Sequence, residues 1–175
     1  MSLELSRRSF MKLSALTAVA VAGSSLLSGC DTIDSENIMR TSPGELTILN
    51  VTGTMGKLND DKKTYAVPSL SGTTIEFPFK ITNGRAHPVA VYPTNFKVTV
   101  LASDMKTVVA KYTAVNGITI SNSMAEANLK TKNSVEGTVA VKLDAELVSG
   151  QYIVLSYFPD LAYNEYSENW YLRKA

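Results

Sequence analysis

The 175-residue chain has one histidine and one cysteine, His87 and Cys30. A Ser-His-Asp site must therefore use His87, which sits between Ala86 and Pro88 beside a turn, and no Gly-x-Ser-x-Gly elbow supplies a nucleophile. Zinc or iron needs three or four His, Cys or carboxylate ligands, and one histidine with one thiol makes a poor set. No methionine pair has the close spacing of a copper site, and no Asp-x-Asp-x-Asp-Gly loop is present for calcium. The candidate oxygen ligands Asn59-Asp60-Asp61 and Asp160, Glu165 and Glu168 read as solvated turn carboxylates. No metal, cofactor or catalytic residue is assigned, and the chain is not expected to be an enzyme. Charge of one sign is also lacking, at a formal net +1. Nucleic acid is not an expected partner.

A long hydrophobic run is absent too. Leu13–Leu27 is the longest candidate, but its fifteen residues include Ser14, Gly23, Ser24 and Ser25. A spanning helix needs about 20 predominantly apolar residues. The segment instead has the basic start, short apolar middle and small-residue end of a cleaved signal. Ser6-Arg7-Arg8-Ser9-Phe10-Met11-Lys12 resembles a twin-arginine export signal, with Arg7, Arg8, Phe10 and Lys12 on the pattern and Met11 in place of its leucine. Leu27-Ser28-Gly29-Cys30 resembles a bacterial lipobox, which implies lipidation of Cys30. The competing reading of Cys30 is a buried thiol; its position at the end of a signal argues against it. Residues 1–29 are expected to be removed. Arg7, Arg8, Lys12 and Glu4 go with them, turning the net charge from +1 to −1. A lipid-borne cysteine leaves no thiol for disulfides, so the core alone must stabilise the fold. Two or more acyl chains give stable anchoring where one is marginal. Asp31, after the lipobox cysteine, resembles an inner-membrane retention signal where an envelope has two membranes.

Residues 30–44 read as the lipidated cysteine and a flexible tether, closed by the breaker Thr41-Ser42-Pro43-Gly44. Its length holds the domain a few nanometres from the bilayer at most. Residues 45–175 are expected to form one domain, of a common single-domain size. Their periodicity is 2 rather than 3.6. In Thr73–Thr82, Ile75, Phe77, Phe79 and Ile81 fall on one face and Thr74, Glu76, Pro78 and Lys80 on the other. Pro78 lacks an amide donor and predicts an edge position or a bulge. Asn83-Gly84, Asn116-Gly117 and Ser149-Gly150 mark turns. Further strands are expected over Glu45–Thr54, Ala86–Tyr92, Asn95–Leu101, Thr107–Tyr112, Ile118–Ile120 and Val135–Leu143. Gln151–Phe158, apolar on both faces, is expected to be central, and Trp170–Leu172 to close the domain. Met124–Leu129 reads as one helical turn. About eight or nine short strands predict an all-β antiparallel sandwich.

Phe77-Pro78-Phe79-Lys80-Ile81-Thr82-Asn83, Asn95-Phe96-Lys97-Val98 and Ser134-Val135-Glu136-Gly137-Thr138-Val139-Ala140-Val141 resemble successive strands of immunoglobulin-like domains of unknown function in bacterial envelope lipoproteins. Asn133 stands where those domains usually carry glycine. The resemblance implies an immunoglobulin-like β-sandwich and an envelope address. It brings no catalytic residues.

Six of the fourteen aromatic residues lie in the last nineteen positions. Tyr163, Tyr166 and Trp170 are therefore candidates for a platform that binds glycan or peptide. The alternative is a closing strand, with Trp170 packed inside and the two tyrosines exposed. The expected function is that of an extracytoplasmic lipoprotein, lipid-anchored to the membrane. It would bind or support another envelope component, expected to be another envelope protein, or else take glycan or peptide on the aromatic platform.

Overall fold

The computed structural model describes residues 37–161 and 166–175. They form twelve strands: β1 (Asn37–Arg40), β2 (Gly44–Ile48), β3 (Val51–Met55), β4 (Thr74–Asn83), β5 (Val89–Val91), β6 (Phe96–Leu101), β7 (Val108–Tyr112), β8 (Ile118–Ile120), β9 (Glu126–Leu129), β10 (Ser134–Lys142), β11 (Tyr152–Tyr157) and β12 (Ser167–Arg173). One sheet has the order β1-β12-β11-β6-β7, the other β2-β3-β4-β10-β8, and β5 pairs with β9. The fold is an all-β sandwich whose described pairings are antiparallel except β1 with β12.

Alternation builds the core. Ile75, Phe77, Phe79 and Ile81 of β4 are buried, with Val139 and Val141 of β10 beside them. The other sheet contributes Phe96, Val98, Ile153, Leu155, Tyr157, Trp170 and Leu172. Phe79 joins the layers. Its ring meets Trp170 at 5.1 Å and Phe96 at 5.3 Å, both edge-to-face, the arrangement aromatic quadrupoles favour.

The structure departs from the sequence reading in four places. Asn37–Arg40 is a strand, where the sequence predicts a flexible tether over residues 30–44. Its polar sequence carries no alternation; its partner defines it, as Asn169 Nδ2 donates to the Ile38 carbonyl at 3.1 Å. Glu45–Thr54 is two strands joined at Leu49 and Asn50, both with positive φ, 51° and 58°. That pair supplies the tight turn whose twist suits a hairpin. Glu126–Leu129 is a strand rather than a helical turn, because Leu129 seals the core opposite Val89. Twelve strands replace eight or nine for these reasons.

Pro78 is the fourth. β4 lies third of five in its sheet, away from either edge. The proline fits because β3 ends at Met55, opposite Phe79, and turns away at Gly56. Gly56 N donates to the Pro78 carbonyl at 2.8 Å. The missing proline amide points to the same side, where the ladder has already stopped.

Candidate functional site

The outer face of the second sheet carries polar residues in registered rows. Glu45, Thr54, Lys80 and Glu136 stand side by side on β2, β3, β4 and β10. Thr47, Thr52, Thr82 and Ser134 form the next row. Thr47 Oγ1 lies 2.8 Å from Thr52 Oγ1, and Thr82 Oγ1 lies 2.9 Å from Ser134 Oγ. Adjacent strands are about 4.7–4.9 Å apart, which sets the spacing within a row.

A loop raises this face into a groove. After β3 the chain leaves the sheet at Gly56, whose φ of 94° suits glycine. It returns through a turn held by Asp61, which accepts from Lys63 N, Thr64 N and Thr64 Oγ1. These bonds, that of Thr64 Oγ1 foremost, hold the Asp61 carboxyl below its usual range. Asp104 accepts in the same way from Lys106 N, Thr107 N and Thr107 Oγ1. The two Asp-x-Lys-Thr turns share one geometry, with positive φ at Lys62 and Met105.

The loop places Lys57, Leu58 and Tyr65 beside the sheet. Together with Glu45, Thr54, Pro78, Lys80, Ser123 and Glu136 they line an open groove of about 790 Å³. That lies within the usual range for small-molecule sites. Tyr65 OH donates to Glu45 Oε1 at 3.2 Å. Partial burial, and then the Glu45 charge, push the phenol up. Among the described residues, Lys80 and Glu136 make no side-chain hydrogen bond or ion pair, so both heads remain available.

A second polar cluster is internal. Arg85 Nη1 pairs with Asp160 Oδ2 at 2.8 Å, and Arg85 Nε donates to the Leu49 carbonyl. Asn83 is buried; its amide donates to the carbonyls of His87 and Leu129 and its oxygen accepts from Arg85 N. These bonds satisfy the chain where it leaves β4. Deeper in, Glu168 faces Tyr157 across β12 and β11. Glu168 accepts from Ile48 N at 3.1 Å.

The residues singled out from sequence do not converge. Trp170 is fully buried and its Nε1 donates to the Gly44 carbonyl at 3.0 Å, so it belongs to the packing and not to an exposed platform. Tyr166 is half-buried. Tyr163 lies outside the described residues, as do Arg7, Arg8, Phe10, Lys12, Leu27, Ser28, Gly29 and Cys30. His87 is exposed. Met55 and Met124 are buried while Met39 and Met105 are exposed. Among the described residues no three His, Cys, Asp or Glu side chains gather in a metal-binding group. The groove residues were visible only as outward positions of alternating strands; their meeting depends on pairing register.

No family model matches the chain, and no curated protein matches it. Several solved structures are similar in part, among them those of three proteins. The yjhA protein of Bacillus subtilis is 9% identical, with a TM-score of 0.45 over 78% of this chain and 100% of its own. An uncharacterized β-sandwich protein of Clostridium difficile is 10% identical, with a TM-score of 0.41 over 77% of this chain and 93% of its own. The archaellum periplasmic stator protein FlaG of Sulfolobus acidocaldarius is 15% identical, with a TM-score of 0.36 over 59% of this chain and 91% of its own.

Proposed function

We propose that the chain is an extracytoplasmic lipoprotein whose sandwich is a non-enzymatic binding module for another envelope component. The observation that carries the address is Leu27-Ser28-Gly29-Cys30, set behind Arg7-Arg8 and a short apolar run. The geometry supports this reading with a candidate surface, the groove over β3, β4 and β10, with uncommitted polar heads at Lys80 and Glu136. It also limits the reach of the domain. Six residues lie between Cys30 and Asn37, the start of β1, so seven Cα–Cα steps join them. Fully extended, they span about 25 Å.

Mass spectrometry of the detergent-extracted protein tests the anchor. The expected product begins at Cys30 and carries diacylglycerol; a water-soluble product beginning elsewhere refutes it. Changing Arg7 and Arg8 together to lysine is expected to leave unprocessed precursor in the cytoplasm. Normal processing of that variant would reduce the pair to an ordinary basic start.

A further inference from the structure

We infer that the groove is a subsite for an uncharged oligosaccharide. This rests on the reading of the domain as a binding module and names the ligand class. Three features of the groove point to it.

The first is the floor. β3, β4 and β10 are interior strands, with neighbours on both sides. Beneath the row of Glu45, Thr54, Lys80 and Glu136 the amides and carbonyls are engaged in the sheet ladder. An extended peptide gains affinity chiefly by pairing its main chain with a free strand edge. The floor offers none, so recognition must pass through side chains.

The second is the character of those side chains. Glu45 and Glu136 accept hydrogen bonds when ionised, and Lys80 only donates. They stand in one row across the strands. A sugar hydroxyl both donates and accepts, so a chain of hydroxyls satisfies this alternation where a purely acidic or basic polymer does not. The charged lining comprises Glu45, Glu136, Lys57 and Lys80, two of each sign. Their sum gives no field to attract a polyanion or a polycation.

The third is the wall. Tyr65 is half-buried and held to Glu45 through its hydroxyl, and Pro78 lies beside it in the lining. An aromatic side chain held in place offers a large apolar contact without much loss of rotamer freedom. The C–H face of a sugar ring suits that contact, while its hydroxyls reach the charged row. The groove volume of about 790 Å³ holds a few rings.

The test uses the full chain carrying Cys30→Ser, so that no lipid is required. Titration calorimetry would be run with the neutral hexaoses of the cello, chito, malto and laminari series. Polyphosphate and a mixed Ser/Thr octapeptide are the comparison ligands. At least one hexaose is expected to bind at micromolar concentration, with little dependence on salt. Tyr65→Ala and Lys80→Ala are each expected to weaken binding about tenfold or more, with the thermal midpoint unchanged. Tyr65→Phe, which keeps the ring, is expected to retain most of the affinity. The inference is overturned if no hexaose binds, if Tyr65→Ala binds as well as the parent, or if polyphosphate or the peptide binds instead. Absence of acyl groups on Cys30 would refute the anchor but leave a positive titration standing.

Discussion

Glu168 is a carboxylic acid between two sheets, and its surroundings set its charge. Burial raises its proton affinity well above the ordinary value of 4.5, and the bond from the Ile48 amide, with the Gly53 amide close by, offsets this only in part. The second carboxyl oxygen and the Tyr157 hydroxyl are buried without hydrogen-bond partners among the described residues. Burial, then the proximity of Glu168, also raises the tyrosine. The acid is therefore bound to its proton in the fold at pH values where the unfolded chain has released it. Between about 4.5 and the raised folded value, the folded state holds more protons and stability falls as pH rises. Glu168→Gln, which cannot ionise, is expected to lack this fall. Denaturant midpoints from pH 5 to 8 check it, a range below tyrosine ionisation and above that of Asp61 and Asp104. Parallel profiles for parent and variant would refute the neutral acid. Gly53 has a related constraint. A Cβ there would run into the Glu168 carboxyl and approach the Trp170 ring to 2.8 Å. Gly53→Ala is expected to destabilise by about 1–3 kcal/mol, as overpacked cores do. An unchanged urea midpoint would show that the two side chains can move aside.

At the scale of elements, β4 tests the pairing of face and register. Phe79→Ala is expected to cost about 3–5 kcal/mol, since it empties the point where both sheets meet. Glu76→Ala, on the outer face, is expected to stay within about 0.5 kcal/mol. Equal losses in chemical denaturation would contradict the assignment of faces. β4 and β10 were legible because each has one buried and one polar face, and alternation records that directly. β11 was legible as a central strand because Val154, facing away from the sandwich interior, is apolar too. β1 and β9 were not, because short strands at the margin take their conformation from a partner. The turn at Leu49-Asn50 was hidden for another reason: leucine seldom adopts positive φ, so no local signal marked it. The groove was the least legible feature. Glu45, Thr54, Lys80 and Glu136 are scattered through the sequence, and only the stagger of three strand pairs aligns them. β1 allows a further check. Met39→Pro removes a backbone donor from a four-residue strand. Amides of β1 are expected to lose protection from hydrogen exchange while those of β4 and β10 keep theirs. Loss of protection throughout would make β1 integral to the cooperative unit.

For the molecule as a whole, a chain with one cysteine has no internal disulfide, and the join between its sheets is the aromatic cluster around Phe79 and Trp170. Trp170→Ala removes a fully buried ring and the bond to Gly44. Its expected cost, about 3–5 kcal/mol, corresponds to a fall in the thermal midpoint of roughly 10 °C or more. A midpoint within a degree or two of the parent would place that ring outside the cooperative core. The parallel pairing of β1 with β12 has a mechanical consequence. If β1 were pulled along its axis toward its N-terminus against the C-terminal end of β12, it would slide lengthwise past β12. The ladder from Asn37 to Arg40 would then bear the load in shear, all rungs together, where a peeled strand would lose them one at a time. Asn169 on the Ile38 carbonyl and Arg40 on the Glu45 carbonyl act as cross-pins. Were the chain held by its N-terminus as proposed, the domain would resist being unravelled from that end.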